Sequence, residues 1–221
     1  MEYSEQNIKN FITDIVNKKM EFGLEEAGLI KPIYEDEFKI LNELNSIKNE
    51  ICYCQIFKLY LGSITLTNHL LEKSLKSSLI YREFGFKMLD DLNTMDKQYK
   101  EGIDKYGGLD LNKTINISCS KGLIDKTDKK LLHDFRERLR NGFSHSDSRK
   151  IFKNIKIPLW MGNFKDFESK GLQHKECEIS EIPQLQGIAI QEFAKYNSFN
   201  YFNCVYIIIK KIEGKIEQSP K

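Results

Sequence analysis

The chain is predicted to be all-α: a single helical-bundle domain over residues 1–221, with an irregular insertion at about 151–187 before its last helix. Three observations carry this. Long stretches place apolar residues three or four apart, which is the helical period. Glycine and proline gather at a few places instead of recurring at strand spacing. No Pro-, Gly- or Ser-rich linker divides the sequence, and 221 residues suffice for one substantial core.

The elements follow in order. Ile8, Phe11, Ile12 and Ile15 mark a first amphipathic helix over 4–20, with Ser4 as a start signal. Gly23, Gly28 and Pro32 are expected to end or break it. A long helix is expected over 34–61, on Phe38, Leu41, Leu44, Ile47, Ile51 and Cys54. Another follows over 64–82, on Leu66, Leu70, Leu71, Leu75 and Leu79, with Gly62 and Ser63 as the bend between the two.

Residues 85–110 hold four glycines and mixed charge, and predict an irregular connection with a short helix around 90–100. A short helix over 111–122 stops near Gly122. Asp125 or Thr127 then caps a helix running to about Gly142, with Leu131, Leu132, Phe135 and Leu139 on its core stripe. In the insertion, residues 155–157 and 177–179 alternate briefly, as short strands do. A long helix over 188–213 closes the fold.

Composition narrows the class. Hydrophobic residues are 40% and charged residues 30%, so wholesale disorder is not expected. The net charge is only +2, from 34 basic and 32 acidic residues, so a nucleic-acid partner would have to use a local basic patch. The first twenty residues lack an apolar secretory core. The longest apolar run, Tyr201–Ile209, is interrupted by Asn203 and Cys204 and falls short of the roughly 20 residues a membrane span needs. A cytoplasmic protein with no membrane partner is expected. Five scattered cysteines argue against a disulfide framework. Cys52 and Cys54 have no further ligands at zinc spacing, so they read as structural thiols; no metal and no cofactor are expected.

The segment that carries chemistry is Leu131 to Asp147. Arg136 and Arg140 lie four apart beside the apolar stripe and share a helix face. Gly142 is a helix stop, and a turn there brings His145 back towards Arg140. These residue types suit RNA cleavage. The 2′-hydroxyl attacks the adjacent phosphorus, a base takes its proton, an acid protonates the departing 5′-oxygen, and a cation steadies the added negative charge. His145 is the candidate general acid or base. Arg140 offers a planar fork of donors to the phosphate, and Asn141 orients the histidine or donates to the phosphate. Arg136 and Arg149 form a candidate RNA-binding rim.

Arg140-Asn141-Gly142-Phe143-Ser144-His145 resembles the R-x4-6-H motif of HEPN domains (higher eukaryotes and prokaryotes nucleotide-binding), in which a polar residue such as Asn directly follows the Arg. The helix Thr67 to Lys76 is similar to helices of bacterial HEPN proteins linked to abortive infection. The resemblance covers about residues 34–145 and the closing helix. It implies a helical bundle that dimerises so that two copies of the motif face each other in a composite cleft. It also implies metal-independent endoribonuclease activity, as in toxin–antitoxin and anti-phage systems, with an antitoxin protein as a further partner.

The alternative is a catalytically inactive module that binds RNA, a nucleotide or a partner protein through the same cleft; a purely structural helical module is a third reading. The plain readings of the other residues are also stated as expectations. His69 and His133 are surface or packing residues, and His174 is solvated. Arg138 pairs with Asp134. Glu72 reaches across the bundle to Arg140. Tyr201 and Phe202 belong to the core or the dimer interface.

Overall fold

The computed structural model describes residues 5–85, 92–141, 152, 155–161 and 173–218. The chain is mostly helical. Helix α1 spans Glu5–Glu35, and a single 3-10 turn at Asn42–Leu44 leads into α2, Asn45–Ile56. Then come α3 (Tyr60–Phe84), α4 (Leu92–Tyr106), α5 (Leu111–Ser120) and α6 (Lys126–Phe135). A π-helical segment, Arg136–Asn141, continues α6. Strands β1 (Lys156–Met161) and β2 (Gln173–Glu178) pair antiparallel, with Ile157 opposite Cys177. Helix α7, Pro183–Glu217, closes the fold with its proline in the first turn, where no amide partner is needed.

The core lies between α3 and α7 and is closed by α2, α5 and α6. Leu70, Leu71, Leu75 and Leu79 from α3 meet Tyr201, Phe202, Val205, Ile208, Ile209 and Ile212 from α7. Polar groups cross this seam fully paired. The Tyr201 hydroxyl donates to Asn68 Oδ1 at 2.8 Å, and Gln55 Nε2 donates to Ser63 Oγ at 2.5 Å. Two glycines allow close approach. A Cβ on Gly102 would lie 2.9 Å from Ile80, where α4 crosses α3, and one on Gly107 would lie 2.6 Å from the carbonyl of Ile103.

Several boundaries differ from those the sequence predicts. Helix α1 does not stop at Gly23, Gly28 or Pro32. Pro32 has no amide for the carbonyl of Gly28, but Gly28 is exposed and water can serve that carbonyl. Beyond it, Ile30 and Ile33 are buried and hold the helix's last turn onto the core. The single helix expected over 34–61 is in fact a loop, a 3-10 turn and α2, and the bend before α3 falls at Phe57–Leu59, upstream of Gly62. There Lys58 adopts φ 55°, and Leu59 N donates to Cys54 O at 2.7 Å. The expected 3.6-residue stripe of the first helix exists, yet residues 5–17 are exposed throughout. The insertion holds a two-stranded hairpin, so the fold is helical with a small β element.

The loop after α1 is held by charge. Lys48 is completely buried, and its ammonium donates to the carbonyls of Ile33, Tyr34 and Asp36 at 2.9, 3.1 and 2.7 Å. These are the carbonyls that the end of α1 leaves unpaired. Asn45 receives the Phe38 amide at 2.9 Å and returns a bond to its carbonyl at 3.0 Å. From α7, Glu213 Oε1 accepts the amides of Ile40 and Leu41 at 2.7 and 3.0 Å. Tyr206 donates to Asp36, and Lys210 pairs with it at 3.1 Å; the tyrosine first and the lysine next hold that carboxyl below its ordinary range.

Two outcomes are expected. Lys48→Met keeps the buried volume but strands three carbonyls, and chemical denaturation should show a loss of about 1.5–3 kcal/mol, the worth of hydrogen bonds to a charged group. The second concerns Glu83, which accepts from Lys105, from Lys121 at 2.8 Å and from Tyr106, so that α3, α4 and the end of α5 are clipped together. Lys105 first, then Lys121 and Tyr106, lower its pKa from 4.5 to about 2. The fold therefore favours the carboxylate. Its stabilisation is complete above 4.5 and is lost as pH falls through 2. Acid titration of stability should fall across that window in the parent chain and be flatter there in Glu83→Gln.

Candidate functional site

The site is built where α6 passes the start of α5. Asp110 caps α5, its carboxylate accepting the Lys113 amide at 2.8 Å, and Leu111, Thr114 and Ile115 bury the helix's inner face. The loop before it is tied to α3 by Lys76, which donates to the carbonyl of Gly107 at 2.8 Å. Asp125 caps α6 through the Asp128 amide at 2.7 Å, and the buried Asp128 pairs with Lys211 of α7 at 3.0 Å.

Apolar contacts orient α6. Leu132 and Leu139 are buried, and the ring of Phe135 lies 4.7 Å from that of Tyr201. With that side committed to the core, Arg136 and Arg140 turn towards α5. Together with Asp110, Leu111 and Asn112 they line a cavity of about 190 Å³. Between Arg136 and Arg140 the helix is π, not α. A π turn widens the ring of backbone bonds by one residue, and such turns recur at functional sites.

The electrostatics of this cavity favour an anion. Two guanidinium groups and the amide end of α5 face it. Its one carboxylate, Asp110, is already occupied as a helix cap. The Arg136 side chain is 23% exposed, and its only listed-distance contact, to Glu137 at 3.4 Å, is weak. Its Nε is buried with no hydrogen-bond partner among the described residues. A buried unpaired donor is costly, and a phosphate oxygen would satisfy it.

The sequence-predicted residues distribute as follows. Arg140 and Arg136 are brought together in one cavity. Asn141 ends the π turn, while His145 and Arg149 lie outside the described residues. Arg138 does not pair with Asp134; its guanidinium stacks 6.0 Å above the ring of Phe193 on α7. Glu72 does not reach Arg140, because Lys76 occupies it at 2.8 Å. His69 is exposed. His133 is half-buried, and burial first and Arg136 next push its pKa down, so the imidazole is neutral at pH 7.

Sequence reasoning missed the contribution of α5. The signal was present, since Gly107-Gly108-Leu109-Asp110 is a loop running into a capping residue. Among the described residues no group of three His, Cys, Asp or Glu is placed to hold a metal ion, and no helix is long and apolar enough to cross a membrane. Comparison of the chain with protein-family models, curated sequences and solved structures finds no match.

If the cavity holds a backbone phosphate, Arg136→Ala and Arg140→Ala should each weaken binding of single-stranded RNA. Each should also reduce the slope of log affinity against log salt by about 0.7, the value for one lost phosphate contact on a single strand. Fluorescence anisotropy across a salt series measures both.

Proposed function

We propose that the protein is a metal-independent endoribonuclease of HEPN type, acting as a homodimer with a composite active site, in a toxin or anti-phage role. The observation that supports this reading is the convergence of Arg136 and Arg140 on one cavity with the amide end of α5. A guanidinium pair held by packed helices is preorganised for a phosphate, and it meets the charge that grows on phosphorus as the 2′-oxygen attacks. In this reading Arg140 steadies the phosphate, Arg136 carries the adjoining backbone and Asn141 orients the reacting groups. His145 moves the proton, taking it from the 2′-hydroxyl or delivering it to the 5′-oxygen.

A second reading, an RNA- or nucleotide-binding module without catalysis, is favoured by one observation. The described lining of the cavity contains cations but no histidine. Binding then needs only the arginines and the α5 amides, and an antitoxin or other protein partner would regulate access.

The test is cleavage of single-stranded RNA by the purified chain in excess EDTA. The expected products carry 2′,3′-cyclic phosphate or 3′-phosphate ends. His145→Ala and Arg140→Ala should each lower the rate by about 10²–10⁴-fold, the usual contribution of positioned acid–base chemistry, while His133→Ala stays close to the parent. Activity lost with EDTA and restored by magnesium overturns the mechanism. RNA binding that depends on Arg140, with no cleavage at any histidine, establishes the second reading.

A further inference from the structure

The first half of α1 is an amphipathic helix with nothing packed on it. Residues 5–17 are all exposed. Ile8, Phe11, Ile12, Ile15 and Val16 are 48, 65, 53, 44 and 38% exposed, and their spacing puts them on one face. An apolar strip this size, on the order of a few hundred Å², marks an interaction surface on a soluble domain.

We propose that this face pairs with the same face of a second copy of the chain, with the two α1 helices antiparallel. The strip is centred on Ile12. Antiparallel pairing about that residue sets Ile12 against Ile12 and Ile8 against Val16, so each copy's apolar positions meet the other's. The charges agree with this register. Position 5 comes opposite position 19, glutamate against lysine, and Lys9 comes within one residue of Asp14 of the second copy. Parallel pairing would instead set Glu5, Lys9 and Asp14 each against its own like charge.

A membrane surface fits less well. Residues 5–19 carry three lysines against one glutamate and one aspartate, short of the strongly basic polar face such helices use. The pairing is a different surface from the arginine cavity and does not rest on the ribonuclease reading. One helical strip falls short of the roughly 800 Å² per partner of a standard interface, so the association is concentration-dependent.

The test uses the full chain. Light scattering should show the mass rising from 25.9 kDa towards twice that value across the micromolar range. Ile12→Asp should hold the chain at the single mass with its circular dichroism unchanged, because Ile12 is outside the core. Orientation is read by mild oxidation of singly substituted chains, one carrying an affinity tag to shift its mass. A mixture of Ile8→Cys and Val16→Cys should cross-link between the two variants, well above the parent chain with its five native cysteines.

Cross-linking of each variant only with itself overturns the antiparallel register. A dimer that survives Ile12→Asp places the interface elsewhere and overturns the proposal. So does a chain that stays monomeric to about 100 µM, where even an association weaker than 6 kcal/mol would show. Binding to anionic lipid vesicles without self-association assigns the face to a membrane and overturns it as well. Loss of RNA cleavage, by contrast, leaves every one of these readouts in place.

Discussion

A buried ammonium organises one end of this molecule. Lys48 lies in the interior with three backbone carbonyls as its partners, and those carbonyls belong to the final turn of α1 and the residue after it. An interior charge is tolerated only when it is fully coordinated. The coordination therefore dictates where α1 ends and how the chain turns into α2. The same turn offers the amides of Ile40 and Leu41 to Glu213, so α7 is located by the opposite charge on the other side of the loop. Burial pushes the Lys48 pKa down, while Asp36 and Glu37 work against that shift. Neither charge would be stable alone; each is held by backbone groups that the helix ends leave over.

From that end the packing order carries to the arginines. Helix α7, placed by Glu213, presents Tyr201 to both Asn68 of α3 and Phe135 of α6. Lys211 on the same helix holds the buried Asp128 at the start of α6. Helix α6 is thus fixed at its first turn by an ion pair and in its middle by aromatic and aliphatic contacts. Arg136 and Arg140 inherit their direction from those contacts, and the stacking of Arg138 on Phe193 removes the third arginine of the segment from competition. A cationic cavity built on packed helices loses little entropy on meeting an anion.

Much of this was legible in the residues. The sharing of a face by Arg136 and Arg140 follows from a spacing of four, and Asp125 appears as the expected cap. The core stripes of α3 and α7 are plain in their leucines and isoleucines. What was not legible depends on partners distant in sequence. Pro32 reads as a break because the burial of Ile30 and Ile33, which carries the helix past it, is a tertiary fact. The interruption between Glu35 and Asn42 is invisible because Phe38, Leu41 and Leu44 keep helical spacing while serving a loop tied to Lys48 and Glu213. Arg138 was matched to Asp134 on local spacing, but an aromatic face from α7 was the better partner. The role of α5 was hidden because a capping aspartate does not advertise what the neighbouring helix will bring.

The π segment sets a constraint on how the motif counts residues. In an α-helix each amide reaches back four residues; in the turn at Arg136–Asn141 the ring holds one more. That turn amounts to an insertion absorbed without lengthening the helix axis in proportion. Deleting one residue there would let the backbone close as ordinary α-helix, yet everything beyond would rotate by about 100° and slide by about 1.5 Å relative to the α5 wall. The interval between Arg140 and any residue that acts with it is therefore measured in ring size as well as in sequence number. Two chains with different arginine–histidine spacings can present the same geometry if one carries the wider turn and the other does not.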